Sequence, residues 1–127
     1  MKPDIENTAD ITLLVDTFYT KVFEDDIIGY VFKQAPGFNK ATHLPLMVTF
    51  WQALLLGMPG YKGNATLKHV ELSKHIPLSA SHFERWLQLW QATVLQLFEG
   101  EKANMAIAKA QSIGAIMQYK VTQTSML

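Results

Sequence analysis

Apolar residues recur at three- and four-residue steps along most of the chain. Between residues 8 and 24, Ile11, Leu14, Val15, Phe18, Tyr19, Val22 and Phe23 fall on one face, as in one amphipathic helix or two in series. Thr8 or Asp10 is placed to cap its start. Residues 27 to 33 read as a short helical turn that runs into Ala35, Pro36 and Gly37, where the chain must change direction and Phe32 is left at the corner. A further helix is expected from about Thr42 as N-cap to an end by Gly57. Pro45 would then sit in the first turn, where its missing N–H costs little.

Residues 57 to 64 have the composition of a loop. A brief helical piece through Leu67 to about Leu72 carries His69, and another connection passes through Pro77. Ser81, with Glu84 three residues on, matches a capping box and opens a long helix to about Phe98. Its apolar stripe is Phe83, Trp86, Leu87, Trp90, Val94 and Leu97. After Gly100 a last helix runs from residue 101 to about 119, with Met105, Ala106, Ala110, Ile113 and Met117 facing inward. Strand-like alternation and repeats are missing. The pattern predicts an all-α single domain over residues 1–127, with helices too unequal for a regular four-helix bundle.

Composition narrows the function classes. A chain of 127 residues, 49% of them apolar, fills one core and leaves enough to line a pocket. Eleven basic and eleven acidic residues cancel, which leaves no basic surface for nucleic acid or an anionic membrane. The polar start of the chain lacks the apolar core of a secretory signal, and the greasiest stretch, residues 44 to 58, is too short to span a bilayer. With no cysteine, disulfides and thiol chemistry are excluded, and a cytoplasmic protein is expected. Any redox chemistry must come from a bound cofactor.

Candidate chemistry centres on His69, a single imidazole among apolar neighbours, eighteen residues after Trp51 and seventeen before Trp86. With no carboxylate cluster beside it, the pattern points to a buried cofactor rather than a bare metal cage. Haem needs only one protein ligand, a neutral imidazole, and leaves its other face to a small ligand governed by nearby donors. Tyr19, Trp86 and His43 are candidates for those donors. Taken singly, each of these residues is more often ordinary core or surface. Only their conjunction favours a cofactor site.

In this combination the chain resembles the truncated haemoglobins, group III in particular. The residues that carry the resemblance are Phe18, Tyr19, Lys21 and Val22; Gly29 and Phe32; His43 eight residues before Trp51; Leu54 to Gly57; Tyr61, Gly63 and Asn64; Leu67, Lys68 and His69; and Pro77, Leu78 and the run from His82 to Leu87. Ala110, Gln111 and Ile113 extend it into the last helix. Glycine pairs typical of the other truncated groups are missing, which fits group III.

The resemblance implies a globin-like two-over-two helical sandwich around haem b. By position, His69 matches the proximal iron ligand, and Tyr19, His43 and Trp86 match the polar distal pocket. Phe32 matches the phenylalanine packed on the porphyrin, and Met47 would face the distal side. Trp51, Leu72, Phe83 and Met117 are expected along the cofactor, with Tyr61 and Lys68 in reach of a propionate. His75 is a competing ligand, because the connection after His69 is longer than in the shortest members. His69 is preferred for its spacing from Trp51 and because His75 adjoins Pro77. His82 is expected at the surface in a first helical turn.

The expected ligands are dioxygen, nitric oxide or carbon monoxide, and a set of distal donors favours redox turnover over storage. Nitric oxide dioxygenation or a peroxidase-like reaction would need a reductase. The alternatives are a non-catalytic haem-based sensor or oxygen-binding module, and a cofactor-free interaction domain. A monomer or weak dimer is expected.

Overall fold

The computed structural model describes residues 2–34, 40–58 and 78–126, of which 34, 40 and 121–126 are described by backbone alone. Five helices make up the described part: α1 (Thr8–Glu24), α2 (Gly29–Gln34), α3 (Lys40–Leu56), α4 (Ala80–Leu97) and α5 (Glu101–Met126). No strand occurs among the described residues. The brief helical piece expected at 67 to 72 lies outside them.

α1 is one continuous helix rather than two in series. Its N-cap is Asn7, not Thr8 or Asp10: Asn7 Oδ1 accepts from Asp10 N–H (2.9 Å), and Asp10 Oδ2 accepts in return from Glu6 N–H (2.9 Å). Two backbone donors left over at the helix start are satisfied this way. α3 already includes Lys40, so Thr42 lies within the helix and Pro45 in its second turn. There proline removes one helical hydrogen bond instead of an already orphaned donor. Gly57, with φ of +66°, ends α3 in the left-handed conformation that glycine adopts without penalty.

α4 begins two residues before the expected cap. Ser79 is the N-cap, and His82, three residues on, accepts from Ser79 N–H through Nδ1 (3.0 Å). The Ser81/Glu84 match is the same motif displaced by half a turn. α5 runs past residue 119 to Met126, and its start is capped from far away in sequence. Asp4 takes the N–H groups of Lys102 and Ala103, each at 2.9 Å. Burial pushes the Asp4 carboxyl up, but those bonds and one from Ile5 N–H outweigh it and hold it below its usual range.

The helices form two pairs. α1 packs on α3, α4 packs on α5, and the pairs meet where α1 crosses α4 and α3 touches α5. Ile11, Leu14, Val15, Phe18 and Val22 of α1 fill the layer between them, with Trp51, Leu55, Trp90 and Val94. Three of the buried positions on α5 are small, Ala103, Ala106 and Ala110. That brings the backbone close enough for Trp90 Nε1–H to reach the Ala106 carbonyl (3.0 Å). Such packing is the expected two-over-two sandwich.

The turn from α1 into α2 places one wall of the site. Gly29 lies so close to the end of α1 that a Cβ there would sit 2.9 Å from the Phe23 carbonyl oxygen, so a side chain would force the turn open. Asp25 orders the same turn, its Oδ2 accepting from Ile27 and Ile28 N–H (3.0 Å each). Its Oδ1 takes Nε and Nη2 of Arg85 at 2.8 and 2.7 Å. The Arg85 guanidinium holds the Asp25 carboxyl below its usual range. α2 is thereby tied to α4 across the intervening space.

Candidate functional site

Between α2, the start of α4 and the middle of α5 lies an open cavity with about 440 Å³ of empty space, part of it continuous with solvent. Ile28, Val31 and Phe32 line it from the α2 side, Leu78, His82, Phe83 and Trp86 from the start of α4, and Met117 from α5. Three of these, Phe32, Phe83 and Met117, are residues expected along a cofactor, and Trp86 is an expected donor. His82 is the only titratable side chain among the described lining residues.

Behind Phe32 the wall becomes polar. Tyr19 is buried in the core layer, and its Oη lies 2.7 Å from His43 Nε2, with the two rings perpendicular at 5.0 Å. The Tyr19 ring stands edge-on to Phe32 (5.9 Å) and to Phe18 (5.0 Å), and Phe18 in turn meets Trp86 edge-on (6.1 Å). Helical spacing explains the grouping: Tyr19 shares the inward face of α1 with Phe18, and His43 lies on the first turn of α3, which packs on α1. Burial pushes the Tyr19 phenol well above its ordinary value, so it remains an O–H donor at any physiological pH.

Trp86 is half-buried, and its indole N–H has no hydrogen-bond partner among the described residues. Trp86 is also one of the residues that line the cavity. Tyr19, His43, Phe32 and Trp86, from four helices, are thus drawn into one contact chain beside the cavity.

Two expected contacts are not among the described residues that line this cavity. Trp51 is buried and stacks on Trp90 (4.4 Å, 21°), a core position away from the lining. Met47 is half-buried against the core and is not part of the lining. Tyr61, Lys68, His69, Leu72 and the competing His75 lie outside the described residues. No group of three or more metal-ligating side chains occurs among those described.

The sequence reading missed Tyr30. Its Oη lies 2.8 Å from His82 Nε2, which ties α2 to the cavity-lining imidazole.

The residues present fit a large flat apolar group with one polar side. Aromatic and aliphatic side chains line the cavity, and the Tyr19–His43 pair lies behind Phe32.

Comparison with known proteins agrees with this. No family model matches the chain. A group 3 truncated hemoglobin, ctb, of Campylobacter jejuni is 31% identical over 121 residues, which cover 93% of each chain. The crystal structure of the group III truncated hemoglobin from Campylobacter jejuni superposes with a TM-score of 0.83 at 30% identity, over 95% of each chain. Identity at that level across nearly the whole length, with the same fold, shows that this chain belongs to the group III truncated haemoglobins and is a globin-type haem-binding protein.

Proposed function

We propose that the cavity takes haem b with His69 as its iron ligand, and that Tyr19, His43 and Trp86 hold a diatomic ligand for redox turnover rather than storage. The observation that carries this reading is the 2.7 Å Tyr19–His43 contact behind an otherwise apolar cavity wall. Bound haem supplies an iron that accepts dioxygen, nitric oxide or carbon monoxide and exchanges electrons.

The protein's own residues supply the rest. Phe32, Phe83 and Met117 exclude water from the cavity. Tyr19 has a single proton to give, so its role depends on the His43 tautomer. With the ring proton on Nδ1, Nε2 accepts from Tyr19 and the phenol is occupied; with it on Nε2, His43 donates to Tyr19 Oη and frees the phenol O–H for the ligand. Trp86 donates in either case. A hydrogen bond to a charged or polarised acceptor contributes about 1.5–3 kcal/mol, and about 1.4 kcal/mol is tenfold in affinity. Two such donors would retain dioxygen too long for delivery and suit nitric oxide dioxygenation or peroxide reduction, with a reductase restoring the ferrous state.

Absorption spectra of the ferric, ferrous and dioxygen-exposed protein test the cofactor. A Soret band in the parent, its loss or weakening in His69→Ala with partial recovery on adding imidazole, and an unchanged spectrum in His75→Ala are expected. Loss in His75→Ala instead would reverse the ligand assignment. Failure to consume nitric oxide or peroxide with a supplied reductant would leave ligand binding alone.

A further inference from the structure

Two hydrogen bonds at the cavity mouth run in one direction. A backbone N–H can only donate, so the 3.0 Å bond from Ser79 N–H to His82 Nδ1 makes Nδ1 the unprotonated nitrogen of a neutral ring. The ring proton is then on Nε2, and Nε2–H donates to Tyr30 Oη at 2.8 Å. Desolvation lowers the His82 pKa, in keeping with a neutral ring. Tyr30 Oη accepts, and its own hydrogen has no partner among the described residues. Tyr30 is 41% exposed, beside an imidazole that lines the cavity. Donors aligned head to tail polarise one another, so the chain ends in a strengthened phenol donor at the edge of an apolar cavity.

We propose that Tyr30, oriented by His82, is a carboxylate anchor that seats a propionate of the porphyrin at the mouth of the cavity. This rests on the haem reading of the same site. A porphyrin with two carboxylates needs polar contacts where its apolar body ends, and Tyr30 and His82 form a hydrogen-bonded polar pair at the described rim. Tyr30 makes the contact, and His82 is a positioning residue. The pair is unsuited to the opposite task of taking a proton from Tyr30, because the nitrogen facing the phenol already carries one.

The test compares haem with haem dimethyl ester, which has the same ring but no free carboxylate. Transfer of each porphyrin from the ferric protein to excess apomyoglobin gives a loss rate. Tyr30→Phe should lose haem about tenfold faster than the parent, the scale of one charge-assisted hydrogen bond, while the two proteins lose the ester at rates within about twofold. His82→Leu keeps the cavity filled but frees the phenol to rotate, and it should accelerate haem loss by about threefold with the same indifference to the ester. In resonance Raman spectra the propionate bending band should shift in both variants. Parent-like haem loss in Tyr30→Phe, or equal acceleration for both porphyrins, would overturn the anchor and leave the haem reading standing. Failure of the parent to take up either porphyrin would remove both.

Discussion

Trp86 and Trp90 stand one turn apart on α4, and Phe18 meets both edge-on, at 6.1 and 5.0 Å. Their situations differ in what the indole N–H finds. Trp90 is 1% exposed, stacked on Trp51, and its N–H is committed to the Ala106 carbonyl. Trp86 is half-buried on the cavity wall, with its N–H unpartnered among the described residues. A step of about 6 Å along the helix separates an indole N–H committed to the fold from one that is not. A buried donor without a partner would be expensive.

Shape loss gives the largest expected effect. Trp90→Ala should destabilise the protein by about 3–5 kcal/mol, the range for large aromatic truncations in a core, and also strands the contact with Trp51. Trp86→Ala enlarges a space that already exists and should cost less than half as much. Urea unfolding of the two variants at neutral pH measures the difference. Equal losses would mean that Trp86 is core like Trp90.

The all-α class, the helix order and the inward faces of α1, α4 and α5 were legible in the sequence, because buried positions such as Leu14, Phe18, Val94 and Ala110 follow the helical period. Helix starts were less so. Asn7 and Ser79 were passed over for neighbours with equally good capping chemistry, and Pro45 pointed to a first turn that the structure places earlier. Capping is local and weak, so a stable tertiary face can move a start by a turn. At the site, Tyr19, His43, Phe32 and Trp86 were identified as a group through resemblance, and the structure brings them together. The stacking of Trp51 on Trp90 was not legible, since tryptophans on different helices share one periodicity whatever they touch. The Tyr30–His82 contact spans 52 residues, and nothing in local pattern encodes a pairing at that separation.

The second effect bears on the donors. Tyr19→Phe and Trp86→Phe should each speed dioxygen dissociation by about ten- to a hundredfold, the scale of one strong hydrogen bond, and barely change carbon monoxide release, that ligand being less polar. Donors sharing one acceptor are coupled, so the double variant should show an interaction energy rather than a simple sum. Trp90→Phe, by contrast, should lower stability and leave both rates alone. Stopped-flow dissociation on the four variants and the parent checks this, and rates for Tyr19→Phe and Trp86→Phe within twofold of the parent would reduce Tyr19 and Trp86 to packing.

The smallest effect separates the cavity wall from the core by pH. Asp25, with a side chain 5% exposed, ties α2 to α4 through Arg85 and caps the turn at Ile27 and Ile28. Its carboxyl is held below the usual range chiefly by the Arg85 hydrogen bond. A group whose pKa is depressed on folding binds fewer protons in the native state than in the unfolded one. Its contribution is therefore complete above the unfolded carboxylate pKa of about 3.9 and is lost as pH falls through the folded value. Asp4 acts in the same direction at the start of α5, so the share of Asp25 must be taken by difference. Asp25→Asn keeps an acceptor for the turn but cannot titrate. Its stability should decline less steeply below about pH 4 than the parent's, and Arg85→Gln should shift the decline to higher pH by letting Asp25 protonate sooner. Amide exchange localises the change: on acidification, Ile27 and Ile28 should lose protection before Ala106 and Ala110, which pack in the core beside Trp90. Simultaneous loss at all four amides would show that wall and core open as one unit and that the division between Trp86 and Trp90 is not energetic.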